Sequence, residues 1–306
     1  MRIGFFGSGA FGLPSLQSLA SDHEIGFVVS QPDRPAGRKR HLRETPISTF
    51  ALEHELPLLR PESLDEATIQ QIRNEPVDAW VVIAYGLKLP ESLLEDRFAC
   101  NLHGSLLPRW RGAAPIQRCL MAGDSTTGVS VITLASVMDA GEVLAVRETP
   151  VDPIETAGEL HDRLAQFGPE ALDEALTRME SGSLQPQVQD ASKVTHAAKL
   201  SRADATADFS LPAPQVRGRI HGLTPWPGCD VMIGTSTLRL KRVRDLPERH
   251  DCPPGTILDT GHVACGQDGI GTVELLEVQP AGGRPMSWAD WLRGHSLEQD
   301  ARISSV

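Results

Sequence analysis

The chain has 306 residues, a length that predicts two domains. Hydrophobic residues make up 40% and charged residues 23%, which is ordinary for a globular protein and excludes the disordered and fibrous classes. The net charge of -11 counts against extended non-specific binding of nucleic acid. Because no run of 18 apolar residues occurs and the chain opens on a strand pattern, we expect a cytoplasmic protein with no membrane partner.

An apolar strand pattern, Arg2 to Phe6, is followed by the glycine-rich stretch GSGAFG at residues 7–12 and by a helical pattern. This order matches the dinucleotide-binding fingerprint, but no acidic residue ends the next strand, Ile25 to Val29, to hold a ribose hydroxyl. Three interpretations stay open: a tight turn that needs glycine for close packing, an anion-binding helix start, or a cofactor loop. We favour the tight turn, and we expect neither NAD nor NADP to bind.

A long basic loop, residues 31–46, follows the second strand, and Asp33 and Glu44 are its acidic residues. Its basic residues, His41 apart, are Arg34, Arg38, Lys39, Arg40 and Arg43. Its prolines and glycine predict an exposed loop, and its length exceeds what a compact connection needs. The pattern fits either a solvent-exposed loop with no binding role or a loop that binds a partner.

Alternating helix and strand patterns then predict an α/β fold with a parallel sheet. Predicted helices cover residues 47–54, 64–74, 113–121 and, with a break at Pro169, 157–180. Predicted strands cover residues 58–60, 79–83, 99–102, 128–134 and 143–151.

The chain beyond residue 180 changes character. Residues 184–204 lack apolar periodicity and are typical of a linker, so we expect one domain at 1–183 and a second at 205–306. A helix at 213–221 and strands at 230–233, 237–243, 255–258, 262–265 and 272–278 predict a small β-barrel. This second domain has a net charge of -2, although we expect Arg239, Lys241, Arg242 and Arg244 to gather on one strand pair.

Five cysteines are an odd number with no close pair, which argues against a disulfide framework and against a zinc site. They are Cys100, Cys119, Cys229, Cys252 and Cys265, and we expect buried thiols. The histidines share no metal-ligand spacing, so we expect no metal.

Candidate chemistry concentrates in residues 101–118, NLHGSLLPRWRGAAPIQR. Asn101 and His103 are two apart at the end of a predicted strand, so both side chains should project to one face at the sheet edge where ligands bind. Asp139 lies on a predicted turn between strands. A histidine with a carboxylate suits acid–base chemistry, and an asparagine amide can donate to an oxyanion. A purely structural role for the three fits equally well; if they form an enzyme site, the missing protein nucleophile favours group transfer.

Six stretches resemble the methionyl-tRNA formyltransferase family. They are SQPDRPAGR at 30–38, VIAYGLKLP at 82–90, NLHGSLLPRWRGAAPIQR at 101–118, MDAGE at 138–142, TPWPG at 224–228 and VQPAGGRPMS at 278–287. NLHGSLLP and the D-x-G element are shared with other formyltetrahydrofolate enzymes, whereas SQPDRPAGR and PRWRGAAPIQR are specific to the tRNA enzyme.

The resemblance implies transfer of a formyl group from 10-formyltetrahydrofolate to the amino group of initiator methionyl-tRNA, for translation initiation. It implies a Rossmann-like N-terminal domain with a mostly parallel sheet, a C-terminal OB-like barrel that binds tRNA, no metal, and a monomer. By motif match, the catalytic residues are Asn101, His103 and Asp139. The folate-binding residues are Tyr85, Gly86, Ser105, Leu106, Leu107 and Pro108. The tRNA-binding residues are Arg34, Arg38, Lys39, Arg40 and Arg43.

The chain departs from the family pattern at several positions. Lys39-Arg40-His41 replaces the usual Gly-Lys-Lys, Thr195-His196-Ala197 lacks an aromatic residue, and Phe209 stands where tryptophan is common. Three other functions are weighed against the resemblance: a formyltransferase acting on a sugar nucleotide or other small amine, a nicotinamide-dependent oxidoreductase, and a non-enzymatic tRNA-binding module.

Overall fold

A computed structural model describes residues 1–36, 41–298 and 301–305. By its internal contacts the chain divides into two compact units, each built from separate segments. Unit 1 comprises Met1–Arg111, Gly128–Glu148 and His161–Thr195, and unit 2 comprises Gly112–Thr127, Thr149–Leu160 and His196–Val306. The domain limits expected at residues 183 and 205 stay a prediction.

A seven-stranded sheet forms the centre of unit 1. The strands in this part of the chain are β1 (Arg2–Gly7), β2 (Glu24–Val29), β3 (Arg34–Ala36), β4 (His41–Arg43), β5 (Leu58–Leu59), β6 (Ala79–Ile83), β7 (Ala99–His103), β8 (Arg111–Gly112), β9 (Thr126–Thr133) and β10 (Val143–Pro150). The sheet order is β10-β9-β7-β6-β1-β2-β5, while β3 and β4 form a separate antiparallel hairpin. The five strands from β7 to β5 are parallel and β9 is antiparallel to β7, which confirms the mostly parallel α/β sheet.

Helices connect these strands. They are α1 (Leu13–Asp22), α2 (Pro46–Glu53), α3 (Glu66–Arg73), α4 (Glu91–Leu94), α5 (Pro115–Ala122), α6 (Ala157–Ala165) and α7 (Gly168–Glu180), with short 3-10 turns at Ala10–Gly12, Ala191–Lys193 and Arg202–Asp204. The predicted break at Pro169 is confirmed, because α6 ends at Ala165 and α7 begins at Gly168, one residue before the proline. In the described ranges, no helix combines the length and apolar character needed to cross a bilayer.

The centre of the sheet locates the ligand-binding edge. Strand β2 pairs with β1 on one side and β6 pairs with it on the other, so the strand order changes direction at β1. Open α/β sheets bind ligands at such a point, beyond the C-terminal ends of the strands. Gly7 of β1 lies level with Ile83 of β6. A Cβ added at Gly7 would lie 2.6 Å from the Phe5 ring, and one at Gly12 would lie 3.2 Å from Ile83 Cβ. A side chain at Gly7 or Gly12 would therefore crowd its neighbours, as the tight-turn interpretation of the glycines requires.

Unit 2 contains an antiparallel sheet around its own apolar core. The remaining elements are β11 (His196–Ala197), α8 (Ala213–Gly222), β12 (Cys229–Ile233), β13 (Ser236–Arg249), β14 (Val263–Ala264), β15 (Ile270–Pro280), β16 (Met286–Ser287), α9 (Trp288–Arg293) and β17 (Ile303–Ser305). The sheet order is β14-β15-β13-β12-β17, with β16 also beside β15. The sequence patterns did not reveal α9 or β17.

The strand predicted at residues 255–258 is wrong as a regular strand, since this segment makes isolated bridges only. Pro253 and Pro254 precede it, and proline cannot donate to a ladder. Its bridges nevertheless reach both edges of the sheet: Ile257 N donates to Ala301 O at 2.8 Å, and Ala264 N donates to Thr256 O at 2.9 Å. The segment therefore bridges the two edges of a curled, half-barrel sheet, which is consistent with the small barrel that was expected.

Candidate active site

Strand β7 carries Asn101 and His103 to the C-terminal edge of the sheet, as the sequence predicted. Asn101 pairs with Val82 of parallel β6, and His103 pairs with Ser130 of antiparallel β9. His103 is 6% exposed, whereas Asn101 is half-buried. Among the described residues, no hydrogen-bond partner contacts the Asn101 amide, so its N–H groups are available to a bound substrate.

The imidazole of His103 is held by a backbone carbonyl. Its Nε2 lies 2.8 Å from the carbonyl oxygen of Trp110. Because a carbonyl can only accept, Nε2 carries the proton of this bond. The other nitrogen, Nδ1, lies 3.7 Å from Asp139 Oδ2. That distance is too long for a hydrogen bond, so Nδ1 and the carboxylate face each other across a narrow gap.

Asp139 lies on the turn between β9 and β10, as expected, in the left-handed conformation with φ of 55°. The preceding tip of this turn is solvent-exposed, with Val137 at 63% and Met138 at 61% exposure. The base is fixed more firmly, because Thr133 N donates to Glu142 O at 2.9 Å. The side chain of Asp139 is only 12% exposed, so its carboxylate is largely buried although the preceding two residues are exposed.

Two residues that the sequence analysis missed hold this site together. The first is Gln189, whose Nε2 donates to Asp139 O at 2.8 Å and to Gly141 O at 2.7 Å. Its Oε1 accepts from Arg111 Nε at 2.9 Å and from Arg111 Nη2 at 2.7 Å. Gln189 lies in the segment predicted to be a linker, where no sequence pattern marked it.

The second is Ser130, which clamps the predicted folate-binding segment. Ser130 Oγ donates to Ser105 O at 2.8 Å and accepts from Leu107 N at 3.1 Å. Ser105 is fully buried, and its hydroxyl donates to Arg109 O at 2.6 Å within the same loop. The segment is therefore rigid, and the Ser105 hydroxyl serves the loop itself. A serine inside the apolar strand β9 was the available signal for Ser130.

Tyr85 and Gly86 follow the C-terminal end of β6, beside the site. The Tyr85 ring is 2% exposed and packs on Phe6, with ring centroids 5.8 Å apart. Burial raises the pKa of Tyr85. Its hydroxyl has no hydrogen-bond partner in the part of the chain that is described, and no heavy atom lies within 4 Å of a Cβ added at Gly86. The backbone at Gly86 is therefore open to a ligand, whereas the Tyr85 ring belongs to the core.

The basic loop begins and ends as a hairpin. Arg34 of β3 stands directly opposite Arg43 of β4, and both are exposed. The acidic residues Asp33 and Glu44 lie 2.8 and 3.6 Å from Arg60, which forms ion pairs with both carboxylates. Like charges opposite each other on a hairpin are unfavourable, so this pair favours a bound anion. Arg38, Lys39 and Arg40 lie outside the described residues.

The cationic strand expected in the barrel is formed but largely neutralised. Its four basic residues all lie on β13. Arg239 pairs with Asp230 at 2.7 Å, Arg242 with Glu159 at 2.6 Å, and Arg244 with Glu274 at 2.8 Å. The Arg242 guanidinium lowers the pKa of Glu159 to about 2. Paired cations contribute little to a long-range positive potential.

The thiols are buried as expected, except that of Cys252, which is half-buried. All five cysteines are free and four of them are buried. Burial raises the pKa of Cys100, the neighbour of Asn101, to about 12, so this thiol is not ionised at neutral pH. Over the described ranges, no group of three or more His, Cys, Asp or Glu side chains is placed to hold a metal ion.

Comparison with known proteins gives the same family for both halves of the chain. Residues 1–176 match the formyl transferase family model, and residues 199–296 match the model of the formyl transferase C-terminal domain. The chain is 41% identical to a methionyl-tRNA formyltransferase of Chromohalobacter salexigens, over 99% of this chain and 97% of that protein. It is 42% identical to a methionyl-tRNA formyltransferase of Methylococcus capsulatus, over 97% of this chain and 98% of that protein.

A solved structure shares the fold at much lower sequence similarity. It is an N-formyltransferase from Helicobacter canadensis in complex with folinic acid and dTDP-3-aminofucose. The TM-score is 0.69 at 12% identity, covering 90% of this chain and 99% of that chain.

Proposed function

This chain belongs to the methionyl-tRNA formyltransferase family, and we propose that Asn101, His103 and Asp139 carry out its reaction. The chain is a transferase that passes a formyl group to the amino group of methionyl-tRNA for translation initiation. The observation that carries the residue assignment is the arrangement at the end of β7. There the free amide of Asn101 lies on the same strand face as an imidazole that donates to Trp110 O and faces Asp139.

The attacking group is the amino group of the aminoacyl-tRNA, so the protein needs no nucleophile of its own. As this amine adds to the formyl carbon, negative charge develops on the formyl oxygen. Collapse of the tetrahedral adduct would then break the bond between the formyl carbon and N10 of the folate, and tetrahydrofolate would leave with the proton that the amine has lost. The Asn101 amide can donate to that oxygen, and so can protonated His103 through Nδ1, the ring nitrogen that Trp110 leaves unused. Preorganised donors of this kind contribute roughly 10²–10³ each to the rate.

Asp139 accepts the proton of the attacking amine. The attacking amine becomes positively charged, and a carboxylate near it can accept its proton, directly or through water. The Trp110 carbonyl, not the Asp139 carboxylate, makes the hydrogen bond that orients the imidazole. In this proposal Asp139 acts on the substrate amine and does not orient the imidazole, whose Nδ1 lies 3.7 Å away.

The formyl donor is a folate derivative, and we assign it as 10-formyltetrahydrofolate, which supplies an activated formyl group when bound. Two features support a folate site at this edge: the rigid segment Ser105–Pro108 and the backbone at Tyr85–Gly86, which is open at Gly86. Leu106 and Leu107 supply apolar contacts. Since the Ser105 hydroxyl is bonded to Arg109 O, the segment would contact the folate through its backbone and its apolar side chains.

The tRNA assignment rests on the basic hairpin. Arg34 and Arg43 stand opposite each other without neutralisation by Asp33 or Glu44, which Arg60 holds. With Arg38, Lys39 and Arg40 this hairpin would bind the phosphates of the acceptor end, while the barrel domain at 205–306 contacts the tRNA body. We further propose that the protein acts in the cytoplasm as a monomer, without a metal.

Incubation with 10-formyltetrahydrofolate and methionyl-tRNA, followed by separation of formylated from free methionyl-tRNA, tests this function. A parallel reaction offers an amino sugar nucleotide as the amine. Transfer to the tRNA and not to the sugar is expected. Transfer to the amino sugar alone would contradict the proposed substrate.

A further inference from the structure

The catalytic histidine and aspartate come from distant parts of the fold and do not hold each other. His103 ends strand β7, whereas Asp139 lies on a turn with an exposed tip. Their nearest polar atoms are 3.7 Å apart, beyond hydrogen-bond distance. Something other than their mutual contact must therefore fix the separation between them.

The dipeptide Trp110-Arg111 reaches both partners. The Trp110 carbonyl accepts from His103 Nε2 at 2.8 Å, which fixes the imidazole. The next residue, Arg111, donates from Nε and Nη2 to the Oε1 atom of Gln189. Gln189 in turn donates to two carbonyls of the turn that carries Asp139. Thus one short segment is linked to the imidazole directly and to the carboxylate through Gln189.

This dipeptide is itself anchored. Trp110 N donates to Thr195 Oγ1 at 2.9 Å, and Arg111 N donates to Thr195 O at 2.9 Å. The segment that bears Gln189 is also fixed, because Gln187 N donates to Val143 O at 2.9 Å and Val143 N donates to Gln187 O at 2.8 Å. Gln189 therefore lies between two rigid supports, the start of β10 and Arg111.

The amide group of Gln189 suits this task because it uses its full hydrogen-bonding capacity. A glutamine amide has two N–H donors and an oxygen with two lone pairs. Here both donors meet carbonyl oxygens of the turn, and both lone pairs meet the Arg111 guanidinium. Arg111 thus fixes which end of the amide faces the turn, since the reverse orientation would put N–H groups against a guanidinium.

We infer that Gln189 is a positioning residue of the formyl transfer reaction, which holds the Asp139 turn at its working distance from His103 through Arg111. This inference rests on the proposed function of Asp139. Gln189 does not touch the reacting atoms. Its loss should act on kcat and leave folate binding unchanged, because a displacement of a catalytic group by about 1 Å can lower the rate about 10²-fold.

The test compares Gln189→Ala, Gln189→Glu and Gln187→Ala in steady-state formylation of methionyl-tRNA. Gln189→Glu keeps the side-chain length and the acceptor for Arg111 but removes both donors to the turn. Gln187→Ala is the matched control, because Gln187 is exposed and contributes through its backbone. Both Gln189 variants should lose about 10–100-fold in kcat, with KM for 10-formyltetrahydrofolate within about twofold of wild type. Gln187→Ala should match wild type.

Wild-type kcat in both Gln189 variants would overturn the inference, and so would a loss of rate that is matched in Gln187→Ala. Should Gln189→Ala prove too unstable to assay, Gln189→Glu decides, since it preserves the pairing with Arg111. A wild-type protein that does not formylate methionyl-tRNA would instead contradict the proposed function, so the two failures are distinguishable.

Discussion

The backbone carbonyl of Trp110 accepts a hydrogen bond from His103 Nε2 at 2.8 Å, and this bond leaves Nδ1 as the ring nitrogen that faces Asp139. A side-chain partner at Nε2 could be exchanged or protonated, whereas a backbone carbonyl accepts at every pH. Asn101 stands on the same face of the strand as His103.

Asp139→Asn should lower kcat by about 10²–10⁴-fold, because the amide cannot take the proton of the attacking amine. The amide is isosteric, so Tm and the affinity for 10-formyltetrahydrofolate should stay near wild type. Glu142→Gln, a matched change in the same turn, should keep normal activity. Near-normal turnover of Asp139→Asn would remove this carboxylate from the mechanism.

His103→Ala should lower kcat by roughly 10²–10³-fold, since it removes a donor to the formyl oxygen. The Trp110 carbonyl loses its partner as well, so a modest fall in Tm is expected. Single-turnover formylation with saturating tRNA measures the rate apart from binding. A loss of less than about tenfold would indicate a structural histidine.

Ser130→Ala should raise KM for 10-formyltetrahydrofolate more than it lowers kcat. The substitution leaves Leu107 N and Ser105 O without their shared partner in a buried loop, which costs about 1–3 kcal/mol in stability and loosens the folate segment. Calorimetric titration with 5-formyltetrahydrofolate and a thermal melt measure the two effects. Ser63→Ala, at an exposed position, serves as the control; equal folate affinity in the two variants would contradict the clamp.

Arg38→Ala and Arg43→Ala should each raise KM for tRNA and leave KM for folate unchanged. A guanidinium can bind a phosphate through two donors, so each loss should make the salt slope of tRNA binding shallower by roughly one unit. Arg178→Ala, which removes the same charge from α7, is the control. If the salt dependence of tRNA binding is the same in all three variants, the hairpin is a solvent-exposed loop with no role in tRNA binding, and a small-amine substrate gains support.

His221 should make the stability of the protein fall on mild acidification. Burial, followed by the nearby Arg217 and Arg242 charges, lowers the pKa of His221 to about 4, and its Nε2 accepts from Val243 N at 3.0 Å. Since the unfolded histidine titrates near its ordinary value of about 6.5, the unfolded state gains the proton first as pH falls. Between pH 7 and pH 5 this costs about 2 kcal/mol.

Urea unfolding at both pH values measures this effect. His221→Gln cannot take up a proton and should show a smaller loss of stability over the same pH range. His41→Gln, on the exposed hairpin, should behave like wild type. An equal pH dependence in wild type and His221→Gln would show that other groups are responsible.

The sequence by itself determined the mostly parallel α/β sheet and the main order of its elements, and it predicted the reacting groups. Period-two and helical patterns, a proline at the α6–α7 break and polar residues at the end of β7 are local signals, and each concerns neighbours in the chain. The resemblance to the family motifs added the prediction that Asn101, His103 and Asp139 are catalytic.

Only the tertiary structure decided what holds these groups in place. Gln189 meets the Asp139 turn across 50 positions and Arg111 across 78, and such pairings leave no periodic trace in a sequence. The same holds for Arg60, which lies within ion-pair distance of both acids of the basic hairpin, and for the carboxylates that pair with the arginines of β13. A local pattern fixes backbone conformation, whereas the partner of a polar side chain is chosen by which distant segments the packed core brings together.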